Sequence, residues 1–221
     1  LVASVILSYD SEDLDMIQNY QYKNDLNLNK SLKFGFVRGP VWNFGDEDMK
    51  NGIEEFVKNS QLDIEELDLG KDFEDAAKAH EIIMNGSIAN SLINYYQADK
   101  SMLHPFTVKR IEAGIPVSAS DYVSAIEKAK KMEKILRQLF LKYDSIITPA
   151  APGQAPRDLM NTGNAIFNGY WTMMGVPAIS LPFLKGRDNL PIGIQFIANW
   201  SEDLKLLEIC KEVLKKEKLA D

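Results

Sequence analysis

The first apolar positions, Leu1, Val2, Val5 and Ile6, fall at helical spacing and predict a buried helix that nothing in the chain caps. A polar, Asn-rich segment at residues 24–31 follows. Residues 32–37 (LKFGFV) then form a short apolar run that reads as a buried strand, ended by Arg38-Gly39-Pro40. Gly45-Asp46-Glu47-Asp48 opens a helix with its acids at the positive end of the helix dipole, and Met49, Ile53, Phe56 and Val57 make its inner face. Residues 62–69 alternate apolar and acidic side chains, the pattern of a strand near an edge or with one wet face. Strand, helix and strand in this order predict a parallel pair joined by a right-handed crossover.

The middle of the chain is helical. From Asp72 to about Gln97 the apolar side carries Phe73, Ala76, Ala77, Ile83, Met84, Ile88, Leu92 and Tyr95, with Gly86 marking a bend. A shorter helix near residues 105–113 ends at Gly114. The next is the clearest in the chain: Ser118 or Ser120 caps it, and Tyr122, Ile126, Ala129, Met132, Leu136, Leu139 and Tyr143 form its stripe.

Ile146 and Ile147 begin a strand that stops at Thr148-Pro149, because proline has no N–H for a ladder. Pro152, Gly153 and Pro156 mark the following loop as ordered but irregular. Asn161, Thr162 or Asn164 can cap a helix bearing Ile166, Phe167, Tyr170, Trp171 and Met174. Gly175 ends that helix and Val176-Pro177 forbids its continuation. Apolar strands near residues 178–183 and 192–197 flank the Gly186-Arg187-Asp188-Asn189 turn. That turn is too short for a crossover, so the two strands form an antiparallel hairpin. A last helix from Ser201 or Glu202 carries Leu204, Leu207, Cys210 and Leu214. Strands alternating with helices, closed by a hairpin, predict an α/β fold: a mixed, mainly parallel sheet with helices on both faces.

Charge and composition narrow the partners. The net charge is −7, and no Lys/Arg cluster rises above a solvated helix face, which argues against nucleic acid or an anionic membrane as partner. No apolar run approaches a membrane span. The one cysteine, Cys210, has no internal disulfide partner and is expected on the Leu207/Leu214 face as a buried thiol. A reducing, cytoplasmic setting fits.

Three runs carry a resemblance: "YDSIITPAAPGQAP", "FNGYWTMMGVPAISLP" and "LPIGIQFIA", in that order. Together they resemble the C-terminal part of the amidase signature family, and "GIPVSASDY" is similar as well. The likeness extends from "LVASVILSYDSEDLDM" to the final helix and implies the same α/β fold. It also implies that residues 1–221 form one domain, the C-terminal part of a larger amidase-like domain. Family members cleave or transfer amides with a Ser–cis-Ser–Lys triad. The lysine and the serine-rich motif lie N-terminal to the part that matches here, and this chain has no Gly-Gly-Ser or Ser-Ser-Gly run. Ser118 and Ser120 are explained by capping, so no catalytic residue is assigned.

Other chemistry finds no support. His80 falls on an apolar helix side, as a core or interface histidine does. His104 precedes a proline and has no ligand at metal spacing. No phosphate or dinucleotide fingerprint occurs, and no metal or cofactor is expected. The resemblance places Thr162, Gly163, Phe167, Asn168, Trp171 and Thr172 along the acyl side of a substrate cleft. Thr148, Pro149, Gly153 and Gln154 are weaker candidates. Core aromatics are an equal reading of Phe167 and Trp171. Two functions stand open. One is the C-terminal part of an amidohydrolase, bound to a small amide and to the N-terminal part of the same enzyme or to itself. The other is a non-catalytic fragment or binding module that keeps the fold.

Overall fold

The computed structural model describes residues 9–13, 16, 28 and 31–217. The helix expected through Ile6 lies outside the described residues, as does most of the segment at residues 24–31.

Strand β1 (Lys33–Phe36) leads to α1 (Glu47–Asn59) and β2 (Asp63–Glu66). The helix α1 starts where the acids predicted: the Asp46 carboxylate accepts from the Met49 N–H at 2.8 Å, and Glu47 and Asp48 follow in the first turn. Three helices come next, α2 (Ala76–Asp99), α3 (Pro105–Gly114) and α4 (Ala119–Leu139). Ser118 caps α4 by accepting from the Asp121 N–H, while its hydroxyl donates to the Asp121 carboxylate. Strand β3 (Ser145–Pro149), α5 (Ile166–Met174), β4 (Ala178–Lys185), β5 (Pro191–Ile197) and α6 (Asp203–Lys216) complete the described chain.

The sheet runs β2-β1-β3-β5-β4. β1 pairs in parallel with both β2 and β3, and β5 pairs antiparallel with β3 and β4. Four strands therefore point one way and β5 alone points against them, the mixed and mainly parallel sheet that the element order predicts. β4 is an edge strand, which is where Pro182 can sit; the ladder shifts register between Leu181 and Leu184 around it.

Period-two alternation gives the sheet two different faces. Phe34, Phe36, Ile147 and Phe196 share one, where Phe34 and Phe196 meet edge to face at 6.2 Å. Helix α1 covers it, with Phe56 stacked on Phe183 at 5.1 Å. Helix α6 lies beside α1: Glu217, just past its end, accepts from the Ser60 hydroxyl at 2.7 Å. The other face carries Ile146, Thr148 and Gln195; α5 meets it through Tyr170, which approaches Thr148, and Asn168, which bonds the Ala150 carbonyl, and α5 is itself backed by α2 and α4. Met49, Ile53, Met132, Leu136, Ile146 and Ile194 are among the side chains fully removed from solvent.

Two expected faces and one expected bend are corrected. Helix α6 buries Leu206, Ile209, Cys210 and Val213, leaving Leu207 49 % and Leu214 42 % exposed. Leu204, Leu206 and Leu207 put apolar groups on two sides of the helix, and packing against β4 and β5 selects one. Cys210 stays buried, and burial pushes its thiol up to about 12. In α2, Tyr95 is exposed, and the buried positions are the small Ala76, Ala79 and Ala89 with Asn85. Gly86 interrupts nothing. It lies against the Tyr122 ring, and the helix continues through it to Asp99.

Candidate functional site

The connection leaving β1 passes to α1 on one face of the sheet, and the connection leaving the adjacent parallel β3 passes to α5 on the other. Diverging connections of this kind open a crevice beyond the carboxyl ends of the strands. A groove of about 800 Å³ lies there. One wall is the loop at residues 150–156. The other is the segment at residues 161–165 with Asn168 of α5, and Ser180, Pro191, Gly193 and Gln195 of the hairpin form the floor.

The floor follows from register. Thr148 of β3 pairs with Gln195 of β5, which pairs with Ser180 of β4, so three polar residues make one row across otherwise apolar strands. Gly193 leaves the space that the Ser180 hydroxyl occupies: a Cβ there would meet that oxygen at 2.0 Å, so the hydroxyl would have to turn away.

The walls are held by polar ties. The Asn168 side-chain amide donates to the Ala150 carbonyl at 3.0 Å, fixing α5 to the loop. The Asp46 N–H donates to the Pro152 carbonyl at 2.7 Å, and Gly153 packs directly against the Asp46 carboxylate. Gln154 donates to Asp188 in the β4–β5 turn at 2.5 Å and accepts from the Asp188 N–H at 3.1 Å. The Arg157 guanidinium, with Gln154, holds the Asp188 carboxyl below its ordinary value. Arg187 binds Asp48 at 3.0 Å and lowers that carboxyl too, so the turn is tied to the start of α1 as well. On the opposite wall, Asn161 accepts from the Gly163 N–H and Asn164 accepts from the Ile166 N–H. Gly163 has φ 89°, a left-handed conformation that favours glycine.

Of the residues named from sequence, Thr162, Gly163 and Asn168 line the groove, as do Gly153 and Gln154. Phe167 and Trp171 lie in the core, 0 % and 1 % exposed. Thr172 is exposed and does not line the groove. Thr148 and Pro149 are buried. Sequence reasoning missed Ser180, Gly193 and Gln195. Their signal was a serine and a glutamine interrupting the apolar runs AISLPF and IGIQFI.

Among the described residues four side-chain polar atoms are buried without a hydrogen bond: Thr148 Oγ1, Tyr170 OH, Trp171 Nε1 and Gln195 Nε2. Thr148 and Trp171 both approach the Tyr170 hydroxyl closely enough to perturb it, but neither makes an aligned bond. Burial raises that phenol well above its ordinary value. His80 of α2 sits against Gly169 of α5, where a Cβ would come within 2.6 Å of its Nδ1. Burial, and then the nearby Arg110, lower the His80 pKa. His104 caps α3 by accepting from the Phe106 N–H at 3.2 Å. Among the described residues no group of three or more His, Cys, Asp or Glu is placed to hold a metal ion, and no helix is long and apolar enough to cross a membrane.

The fold is an α/β fold of the amidase-signature type. The chain belongs to the amidase family: the family profile described as Amidase matches residues 1–207. It is similar to the A subunit of glutamyl-tRNA(Gln) amidotransferase from Agathobacter rectalis, 25 % identical over 94 % of this chain and 48 % of that protein. The corresponding protein from Aliarcobacter butzleri is 36 % identical over 45 % of this chain and 24 % of that one. A crystal structure of an amidase superposes with a TM-score of 0.74 at 17 % identity, over 84 % of this chain and 46 % of that chain. 6-Aminohexanoate cyclic dimer hydrolase complexed with substrate superposes with a TM-score of 0.69 at 18 % identity, over 96 % of this chain and 51 % of that one. The chain thus spans about half or less of the length of these proteins.

Proposed function

We propose that this chain forms the substrate-groove side of an amidase-family enzyme that breaks a carbon–nitrogen amide bond. Its residues hold a small amide, and serine and lysine residues outside these 221 supply the attack. The observation that carries this reading is the groove at the carboxyl end of β3. Two of the three runs that resemble the signature family contribute its walls, and the third, with Ser180, its floor. Thr162, Gly163 and Asn168 touch the substrate, while Phe167 and Trp171 support the wall from behind. The partner is the N-terminal part of the same enzyme or a second copy of the chain, in a cytoplasmic setting.

The test is to assay the 221-residue chain with aryl and aliphatic amides and a serine-directed fluorophosphonate, alone and as isolated with whatever co-purifies. The chain alone is expected to show no turnover and no labelling. Turnover is expected with a co-purifying polypeptide that carries the serines. Stoichiometric labelling of the lone chain with turnover would overturn this division of labour.

The second reading, a binding module without catalysis, is favoured by the missing Gly-Gly-Ser or Ser-Ser-Gly run. It predicts a lone species of 24.9 kDa that binds amides and never turns them over.

A further inference from the structure

We infer that the groove selects short, uncharged, amide-rich ligands, such as a small dicarboxamide, against both ionised isosteres and long acyl amides. This rests on the reading of the groove as the amide-binding side of the site, and narrows it.

Two observations on the lining carry the inference. No described residue that lines the groove bears a formal charge. Of the ions beside the lining, Arg157 pairs with Asp188 and Arg187 with Asp48, and the Asp46 carboxylate behind Gly153 accepts from the Met49 N–H. An ionised carboxylate or ammonium entering the groove would give up part of its water and gain no counter-charge from the lining, so that part of its hydration is lost without compensation. The second observation concerns size. The apolar lining consists only of alanine methyls and proline rings, with no Leu, Ile, Phe, Met or Trp side chain among the described residues. A growing alkyl chain therefore meets little apolar surface. The polar side chains of the lining are of two neutral kinds: the amides of Asn161, Asn164, Asn168, Gln154 and Gln195 and the hydroxyls of Thr162 and Ser180. A side-chain amide has two donors and a two-lone-pair acceptor, the complement of a carboxamide's own N–H₂ and C=O, and Asn161, Asn164, Asn168 and Gln154 each keep part of that capacity after their internal bonds. Asn168 and Gln154 are themselves pinned, to the Ala150 carbonyl and to Asp188, so part of this set is ordered before a ligand arrives.

The experiment is a ligand-detected NMR titration of the full 221-residue chain. The probes are succinamide, its singly and doubly ionised isosteres succinamate and succinate, and the series butyramide, hexanamide and decanamide. Succinamide is expected to bind, and succinate to bind at least about tenfold more weakly, as expected for a charge desolvated without a partner. Affinity across the alkyl series is expected to stay flat, where an apolar wall would tighten it about fourfold per methylene. Ser180→Val places methyls on the groove floor at an edge-strand position where a β-branched residue fits, and it should weaken succinamide without lowering the melting temperature. Thr162→Val removes a rim hydroxyl at constant size and keeps the test open if the first variant misfolds; it too should weaken succinamide. Equal or tighter succinate binding, affinity rising with chain length, no binding by any probe, or binding indifferent to both variants would each overturn the inference. If succinamide binds as expected but the co-purified enzyme turns over no amide, the catalytic reading falls and the ligand preference stands. Turnover confined to ionised amides would do the reverse.

Discussion

Replacing Trp171 separates support of the fold from contact with substrate. The indole is 1 % exposed, lies 4.8 Å from the Tyr170 ring, and sits on α5, which packs against α2 and α4. An indole of this kind removes about 200 Å² from water, and at about 25 cal/mol per Å² the transfer contribution is at most about 5 kcal/mol. Measured aromatic-to-alanine truncations in cores cost about 3–5 kcal/mol. One effect opposes this. Trp171 Nε1 is buried with no acceptor, and such a group costs about 1–3 kcal/mol, which truncation relieves. Trp171→Ala is therefore expected near the lower end, about 3 kcal/mol. Trp171→Phe keeps most of the ring and discards the unpaired N–H, so it is expected to cost about 1 kcal/mol or less. Urea unfolding monitored by far-UV circular dichroism reads both, with unchanged m-values confirming that the midpoints report stability. A loss below about 1 kcal/mol for Trp171→Ala, with altered amide preference, would place the residue in the site and refute the core assignment. A Phe variant as costly as the Ala variant would show that Nε1 has a partner in the native protein.

Four further outcomes are expected. Asp46→Ala removes the α1 cap and the carboxylate behind Gly153, and should cost about 1 kcal/mol in the same urea assay. Gly114→Ala drives a methyl into the Asn85 carbonyl oxygen and should cost about 1–3 kcal/mol, measured as a lowered thermal midpoint. His80 has a folded pKa below its ordinary 6.5, so the unfolded chain takes the proton first; its contribution is present above pH 6.5 and is lost as pH falls below it. The wild-type midpoint should accordingly drop faster than that of His80→Gln between pH 6.5 and the onset of carboxylate titration. Asp188→Ala frees Gln154 and Arg157 together, so tryptic cleavage after Arg157 should quicken at an unchanged urea midpoint, and Asp188→Asn, which still accepts from Gln154, should restore part of the protection.

The sheet was legible because each strand is bounded by chemistry that admits few alternatives. Thr148-Pro149 ends β3, and Gly175, at φ 66°, ends α5 before Val176-Pro177. Asp46 caps α1, and the four-residue turn after Lys185 can only return the chain antiparallel. The helix faces were less legible where apolar residues occur on two sides or where contact depends on small residues. Leu207 and Leu214 have the spacing of a buried stripe, yet Leu206 and Val213, one step away, take that place. The α2–α3 contact includes Gly114 against Asn85 and Ala89, a close backbone approach that no pattern of bulky apolar positions announces.

The groove floor was hidden for a related reason. Ser180 and Gln195 each look like a minor flaw in an apolar strand, and only pairing shows that β3, β5 and β4 place Thr148, Gln195 and Ser180 side by side. Thr148 and Gln195 are buried while Ser180 is exposed to the groove, and a buried polar group costs free energy unless it finds a partner. Here Thr148 Oγ1 and Gln195 Nε2 have none, and Tyr170 OH and Trp171 Nε1 above them have none either. Hydrophobic patterning alone would fill these four places with aliphatic side chains at lower cost. Residues that break the local rule without repair elsewhere gather where a fold serves binding. By that argument Thr148 and Gln195, with the Tyr170 hydroxyl and Trp171 Nε1 on the helix above them, mark the candidate site more directly than Phe167, which obeys the rule and belongs to the core.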